Sequence, residues 1–172
     1  MTKRLYRISQ ILLAFITLLV LGSAYYLQYV DGLMPCPLCI MQRLCAFIFG
    51  MLSMIGIGLF TVKRARFLAV LQLGIALGGL FFATRQLWLE FSPVENAGAC
   101  LPGFDIMLKY FPWQDILHGL LWGSGDCAAV TWTWHGLPMP AFSAMYFMAM
   151  TLISGAVFLF LGKAEHKNTE SK

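Results

Sequence analysis

The chain has 172 residues, 59% of them hydrophobic and only 12% charged, with a mean hydropathy of +0.74. Soluble domains carry about 25% charged residues, so this composition excludes an ordinary soluble fold and points to an integral membrane protein. The net charge of +4 does not mark a nucleic-acid binder, because no basic stripe interleaved with aromatics lies outside the apolar runs.

Lys3, Arg4 and Arg7 open the chain, and a charge-free run follows from Ile8 to Val30. This start and Gly22-Ser23-Ala24 resemble parts of a signal peptide, but the run outlasts a signal core, so an uncleaved first span over 8–30 is expected. Further spans are expected over 40–62, 67–89 and 141–162. Each meets or approaches the roughly 20 apolar residues that cross a bilayer. Period-two alternation is absent, and open strands in lipid would leave backbone groups unpaired. The expected fold class is therefore an all-α membrane protein, a four-transmembrane-helix bundle forming one domain over 1–172.

Outer loops are expected over 31–39 and 90–140, a tight basic inner turn over 63–66, and a polar tail over 163–172. The long loop is unusually apolar (Phe104, Tyr110, Phe111, Trp113, Leu117 and Trp122 among others), which predicts a short helix lying in the membrane interface. Gly50, Gly56 and Gly58 of the second span and Gly74, Gly78 and Gly79 of the third suggest close packing between those two helices. Lys and Arg cluster before the first span, between the second and third, and after the fourth, whereas the other side holds only Lys109. By the positive-inside rule both termini are cytoplasmic and the long loop is outside, where disulfides persist.

Cys36-Pro37-Leu38-Cys39 lies at the outer mouth of the second span, with Arg43 one turn further on. With Cys36 as N-cap, Pro37 takes the first helical position, where its missing N–H costs nothing. Cys39 is then beside unpaired N–H groups that favour a thiolate. Arg43 is four residues after Cys39, so it shares that helix face and can lower a thiol pKa or hold a ligand oxygen. A bridge across three residues closes too short a loop to be a useful staple. Cys100 and Cys127, in the long loop, can form a staple or take part in a relay, and zinc on the four cysteines is a further alternative. Gly98 and Gly125 suggest accessible sulfurs at that second pair, whereas Cys45 reads as a packed, inert thiol. Arg85, near the outer end of the third span, either snorkels or serves the redox site, and Gln86 and Glu90 add polarity there without a firm role.

Pro35-Cys36-Pro37-Leu38-Cys39 with Arg43, Ser124-Gly125-Asp126-Cys127 and Gly136-Leu137-Pro138-Met139-Pro140 together resemble the disulfide bond formation protein B (DsbB) family over nearly the whole chain. The resemblance implies an oxidoreductase of the bacterial inner membrane with its redox loops in the periplasm. It implies a quinone cofactor, ubiquinone or menaquinone, drawn from the membrane pool. It also implies a periplasmic thioredoxin-like thiol oxidase (DsbA-like) as partner. In that scheme Cys100 forms the mixed disulfide with the partner, Cys127 is its mate and exchanges with Cys36, and Cys39 faces the quinone with Arg43 binding it. The implied pairs are Cys36–Cys39 and Cys100–Cys127, with no metal. A structural four-span protein with staple disulfides, and a quinone reductase of the vitamin K epoxide reductase type, are the alternatives; the latter carries its C-x-x-C late in the bundle rather than at the second helix.

Overall fold

The computed structural model describes residues 3–32, 35–58, 61–91, 109–123, 127, 133–134 and 136–170, with the backbone alone described for 115, 134 and 163–170. Five helices and one short hairpin lie within them: α1 (Lys3–Tyr29), α2 (Pro37–Gly58), α3 (Val62–Phe91), α4 (Trp113–Trp122), β1 (Thr133–Trp134), β2 (Leu137–Pro138) and α5 (Met139–Glu170). α1, α2, α3 and the stretch Met139–Gly162 of α5 are each long and apolar enough to cross a membrane, in agreement with the four expected spans. Leu18, Phe67, Leu152 and Leu159 are 64–70% exposed, as side chains must be when lipid rather than water surrounds the bundle.

Two boundaries differ from the sequence expectation. The basic run does not form a tight turn: Lys63, Arg64 and Arg66 lie inside the start of α3, where the Ala65 N–H donates to the Thr61 carbonyl at 2.8 Å. Arg66 stays there because its guanidinium lies over the Phe158 ring of α5, 5.0 Å from the centroid. α5 begins two residues earlier than expected and continues to Glu170, so the polar tail extends the helix. Pro140 near its start fits the first turn, where no helical N–H is needed.

α3 is the central element, packed against α5 and α2, while α1 packs on α2 and α4 rests on α2. Leu38, Phe49, Ala76, Ala83, Phe147 and Met150 belong to the main core. The glycines serve different pairs from those expected. A Cβ on Gly79 would lie 2.2 Å from Cε1 of Phe147, so that ring presses on the α3 backbone. Gly50 and Gly56 make room for α1 instead, with Thr17 Cγ2 at 3.2 Å and the Tyr6 hydroxyl at 3.0 Å from the Cβ positions. Gly58, Gly74 and Gly78 face open space, so glycine does not seam α2 to α3. Large partners, not facing glycines, fill the gaps these positions leave.

The short helix expected in the long loop is α4. Trp113, Leu117 and Leu121, four apart, form an exposed apolar stripe on it (68%, 38% and 44%), while Ile116 is buried. Such a stripe at the end of a spanning bundle suits the headgroup boundary. The hairpin, unforeseen in the sequence, pairs Thr133 with Pro138 and Trp134 with Leu137 and turns through Gly136 at φ 78°.

Candidate redox site

Cys36 caps α2. Its carbonyl accepts the Ile40 N–H at 3.2 Å, and its Sγ accepts the Cys39 N–H at 3.4 Å, so one orphan donor of the helix start points at sulfur. Pro37 then occupies the first helical position, as expected. This geometry turns Cys39 back toward its neighbour: the Cys36 thiol donates to Cys39 Sγ at 3.1 Å, and the two are not disulfide-bonded.

Cys127 arrives from the far side. Its sulfur is hydrogen-bonded to Cys36, and it is 1% exposed, packed with Leu38 and Leu89. This corrects the expectation of an accessible sulfur. Gly123 explains the burial. It ends α4 with φ 84° and ψ 173°, a conformation nearly confined to glycine, and its N–H donates to the Gly119 carbonyl at 3.0 Å. A Cβ there would sit 2.7 Å from Leu89 Cδ1 and 2.8 Å from Leu38 Cδ1. The chain thus leaves α4 pressed against the ends of α2 and α3, and four residues later Cys127 meets Cys36. Arg85 secures the same end of α4: its Nε donates to the Trp122 carbonyl at 3.2 Å, and its guanidinium lies 5.8 Å from the Trp122 ring centroid. A cation at a helix C-terminus complements the dipole, so Arg85 seats the loop helix.

Three of the four expected cysteines therefore meet; Cys100 lies outside the described residues. The Cys36 thiol is held well above the usual thiol range, first by its hydrogen bond to Cys127, then by that to Cys39, then by burial. Cys45 is packed in the core, as its sequence context suggests. Arg43 turns away from the sulfurs toward α1, donating to Gln28 Oε1 and, at 3.1 Å, to the Ala24 carbonyl. Its guanidinium also lies over the Tyr25 ring, 5.3 Å from the centroid. Among the described residues no group of three His, Cys, Asp or Glu side chains is arranged to hold a metal ion.

Two glutamines complete the site: Gln86, which the sequence leaves without a firm role, and Gln42, which sequence reasoning missed. Gln86 of α3 meets Cys39 Sγ with both ends of its amide, Nε2 at 3.3 Å and Oε1 at 3.4 Å. Gln42 of α2 donates its Nε2 to Gln86 Oε1 at 2.7 Å. A signal existed: Gln42 is three residues after Cys39, hence on its face, in a helix with few other polar side chains, Arg43 and Ser53 among them.

A helix-capping dithiol with a third cysteine folded onto it, at one end of a four-span bundle, defines a membrane thiol–disulfide oxidoreductase. The family model described as "Disulfide bond formation protein DsbB" matches residues 6–157. A disulfide bond formation protein B from Hahella chejuensis is 41% identical over 135 residues, covering 77% of this chain and 81% of the relative. Disulfide bond formation protein B 1 from Pseudomonas aeruginosa is 38% identical over 153 residues (86% and 92%), and disulfide bond formation protein B from Acinetobacter baumannii is 35% identical over 150 residues (86% and 88%). The chain belongs to the DsbB family of disulfide bond formation proteins and is a multi-pass membrane protein.

Proposed function

We propose that the chain is a quinone-dependent protein thiol oxidase of the bacterial inner membrane. It would reoxidise a periplasmic DsbA-like dithiol oxidase, with both termini in the cytoplasm. The observation that carries this reading is the meeting of Cys36, Cys39 and Cys127 at the start of α2.

In this scheme the partner's thiolate attacks Cys100 of a Cys100–Cys127 disulfide, and the partner's second thiol then displaces Cys100. The partner leaves oxidised and both loop cysteines are reduced. Cys127 next attacks Cys36 of a Cys36–Cys39 disulfide: the Cys127–Cys36 bond forms, the Cys36–Cys39 bond breaks, and Cys39 leaves as thiolate. Cys100 attacks Cys127, restoring the loop disulfide and releasing Cys36. Two electrons and two protons then remain on Cys36 and Cys39. The contact between the Cys127 and Cys36 sulfurs supports Cys36 as the sulfur attacked.

The side chains between the start of α2 and α1 suit a lipid-soluble quinone. Arg43 is half-buried one turn from Cys39 beside an aromatic ring, and it directs two donors to Gln28 and Ala24 from a fork that carries five. Arg43 would hold a quinone oxygen, with Tyr25 flanking the ring. A bound quinone supplies the acceptor for the two electrons and two protons.

Purified protein in detergent, given a reduced dithiol protein as donor, tests the proposal through quinone absorbance. Turnover in wild type and none in Cys39→Ser is the expected result. Folded wild-type protein that reduces neither ubiquinone nor menaquinone, or a Cys39→Ser variant that still turns over, overturns it.

A further inference from the structure

We infer that Gln86 is a catalytic residue of the internal disulfide exchange, holding the Cys39 sulfur both as thiol and as leaving thiolate, and that Gln42 is the positioning residue that orients its amide. The inference deepens the function proposed above and rests on its assignment of Cys39 as the leaving sulfur.

The geometry carries the argument. A thiol needs an acceptor and a thiolate needs donors. Gln86 presents Oε1 at 3.4 Å and Nε2 at 3.3 Å to the same sulfur, so one amide serves both states without turning over. Gln86 is 5% exposed and Gln42 6%, so little water is at hand to replace either contact. In the exchange the electron pair of the broken Cys36–Cys39 bond comes to rest on Cys39, which leaves as thiolate without net oxidation. Nε2 then makes a charge-assisted hydrogen bond, the stronger kind, in a place where an unmet charge is costly. A neutral amide does this without adding a second charge to the membrane interior.

Gln42 selects the orientation. Its Nε2 donates to Gln86 Oε1 at 2.7 Å, which fixes the oxygen on the Gln42 side and leaves the Gln86 NH₂ facing sulfur. A carboxylate at position 42 accepts instead of donating. It would draw the Gln86 NH₂ to itself and turn the carbonyl oxygen toward Cys39.

The test uses full-length protein in detergent with Cys100→Ser and Cys127→Ser, so that Cys36 and Cys39 are the only redox pair. Its equilibrium with a dithiol buffer and the rate of Cys39 alkylation at neutral pH are both read by mass spectrometry. Gln86→Leu is expected to shift the equilibrium about tenfold toward the disulfide, which for a two-electron couple is about 30 mV. Cys39 alkylation slows by a similar factor. Gln86→His, whose ring N–H can donate, keeps most of the wild-type value. Gln42→Glu, nearly the same size as the native side chain, moves the equilibrium in the same direction. Gln42→Met, which removes the donor to Gln86 Oε1 without placing a like charge near the Cys39 thiolate, also moves it by more than twofold; a purely structural clamp would leave the Gln42→Met value unchanged.

Values within twofold of wild type in all folded variants overturn the inference. If Gln86→Leu does not fold, Gln42→Met and Gln86→His carry the test. Neither quinone nor partner protein enters the assay. Wild type that fails to reduce quinone while Gln86 still controls the equilibrium would therefore sink the proposed function and leave this inference standing.

Discussion

The two ends of the bundle each hold a pair of buried glutamines, and the pairs are closed differently. At the end opposite the cysteines, Gln72 Nε2 donates to Gln10 Oε1 at 2.8 Å and to Ser53 Oγ at 2.9 Å. Gln10 is 0% exposed, Gln72 1% and Ser53 0%, and Ser53 also donates to the Phe49 carbonyl at 3.0 Å. That cluster ties α1, α2 and α3 together through polar groups that satisfy one another, the usual way polar side chains join helices in lipid. At the cysteine end Gln42 and Gln86 also join α2 to α3, but the outer amide ends on Cys39 Sγ. The same residue type thus makes a closed structural clamp at one end and a clamp with a reactive atom as its last member at the other.

The largest expected difference between the ends is in turnover. Cys39→Ser removes the sulfur on which the exchange leaves, so no disulfide can form with Cys36 and quinone reduction should fall to the background rate. Thermal stability should change little, because Cys39 is only half-buried. A Cys39→Ser variant that melts many degrees lower would instead place that sulfur with the structural end of the molecule.

Gly123→Ala should follow. Alanine would strain the backbone at φ 84° and press on Leu38 and Leu89, a cost of about 1–3 kcal/mol. The strain falls on the seat of α4, not on the Gln10–Gln72 cluster. The variant should therefore form far less Cys36–Cys127 disulfide on mild oxidation, while its four spans remain inserted. Undiminished cross-linking would show that Gly123 does not place Cys127.

How much of this was legible in the sequence differs between the ends as well. The capping geometry followed from Cys36 and Pro37, because a proline at the first helical position leaves few alternatives. The four spans followed from the shortage of charge. The burial of Cys127 did not, because a neighbouring glycine says nothing of what packs over a sulfur; Gly123, immediately before Ser124-Gly125-Asp126-Cys127, is the informative one. The sequence offers Arg85 only lipid or the redox site as partners, whereas the structure gives it the end of α4, 37 residues away. The sequence gives Gln86 no firm role because a single polar residue at the edge of a span is ordinary, and its partner Gln42 is 44 residues distant. Contacts that set which amide meets which sulfur depend on helix rotation, which a helix apolar on nearly every face does not fix by its periodicity.

Titration offers a smaller contrast. The reduced Cys36 thiol is held above its ordinary range by Cys127 and Cys39, whereas an unfolded thiol ionises at about pH 8.5. The folded state therefore keeps a proton that the unfolded chain loses. Its contribution to stability is complete below about pH 8.5 and declines as pH rises toward the folded value, by up to about 1.4 kcal/mol per pH unit. Thermal unfolding of the reduced protein between pH 7 and 10 should steepen above pH 8.5 in wild type and less so in Cys36→Ser, whose hydroxyl does not titrate there. Parallel curves would mean that the hydrogen bonds to Cys36 are absent from the reduced protein in its membrane environment.

Gln72→Leu is the smallest expected effect and the one that most directly tests the comparison. It removes the donor that serves Gln10 and Ser53, and an interhelical hydrogen bond in a membrane protein contributes about 0.6 kcal/mol on average and about 1.7 at most. Unfolding in detergent should show a loss of that size. The Cys36–Cys39 equilibrium should stay within twofold of wild type, because Gln72 and Gln86 are about four turns apart along α3. A matched Gln86→Leu variant should show the reverse, a shifted equilibrium with a comparable or smaller loss of stability. Were both variants to move stability alone, the two glutamine pairs would be equivalent clamps, and the sulfur at the end of one of them would be a neighbour of the clamp and not its purpose.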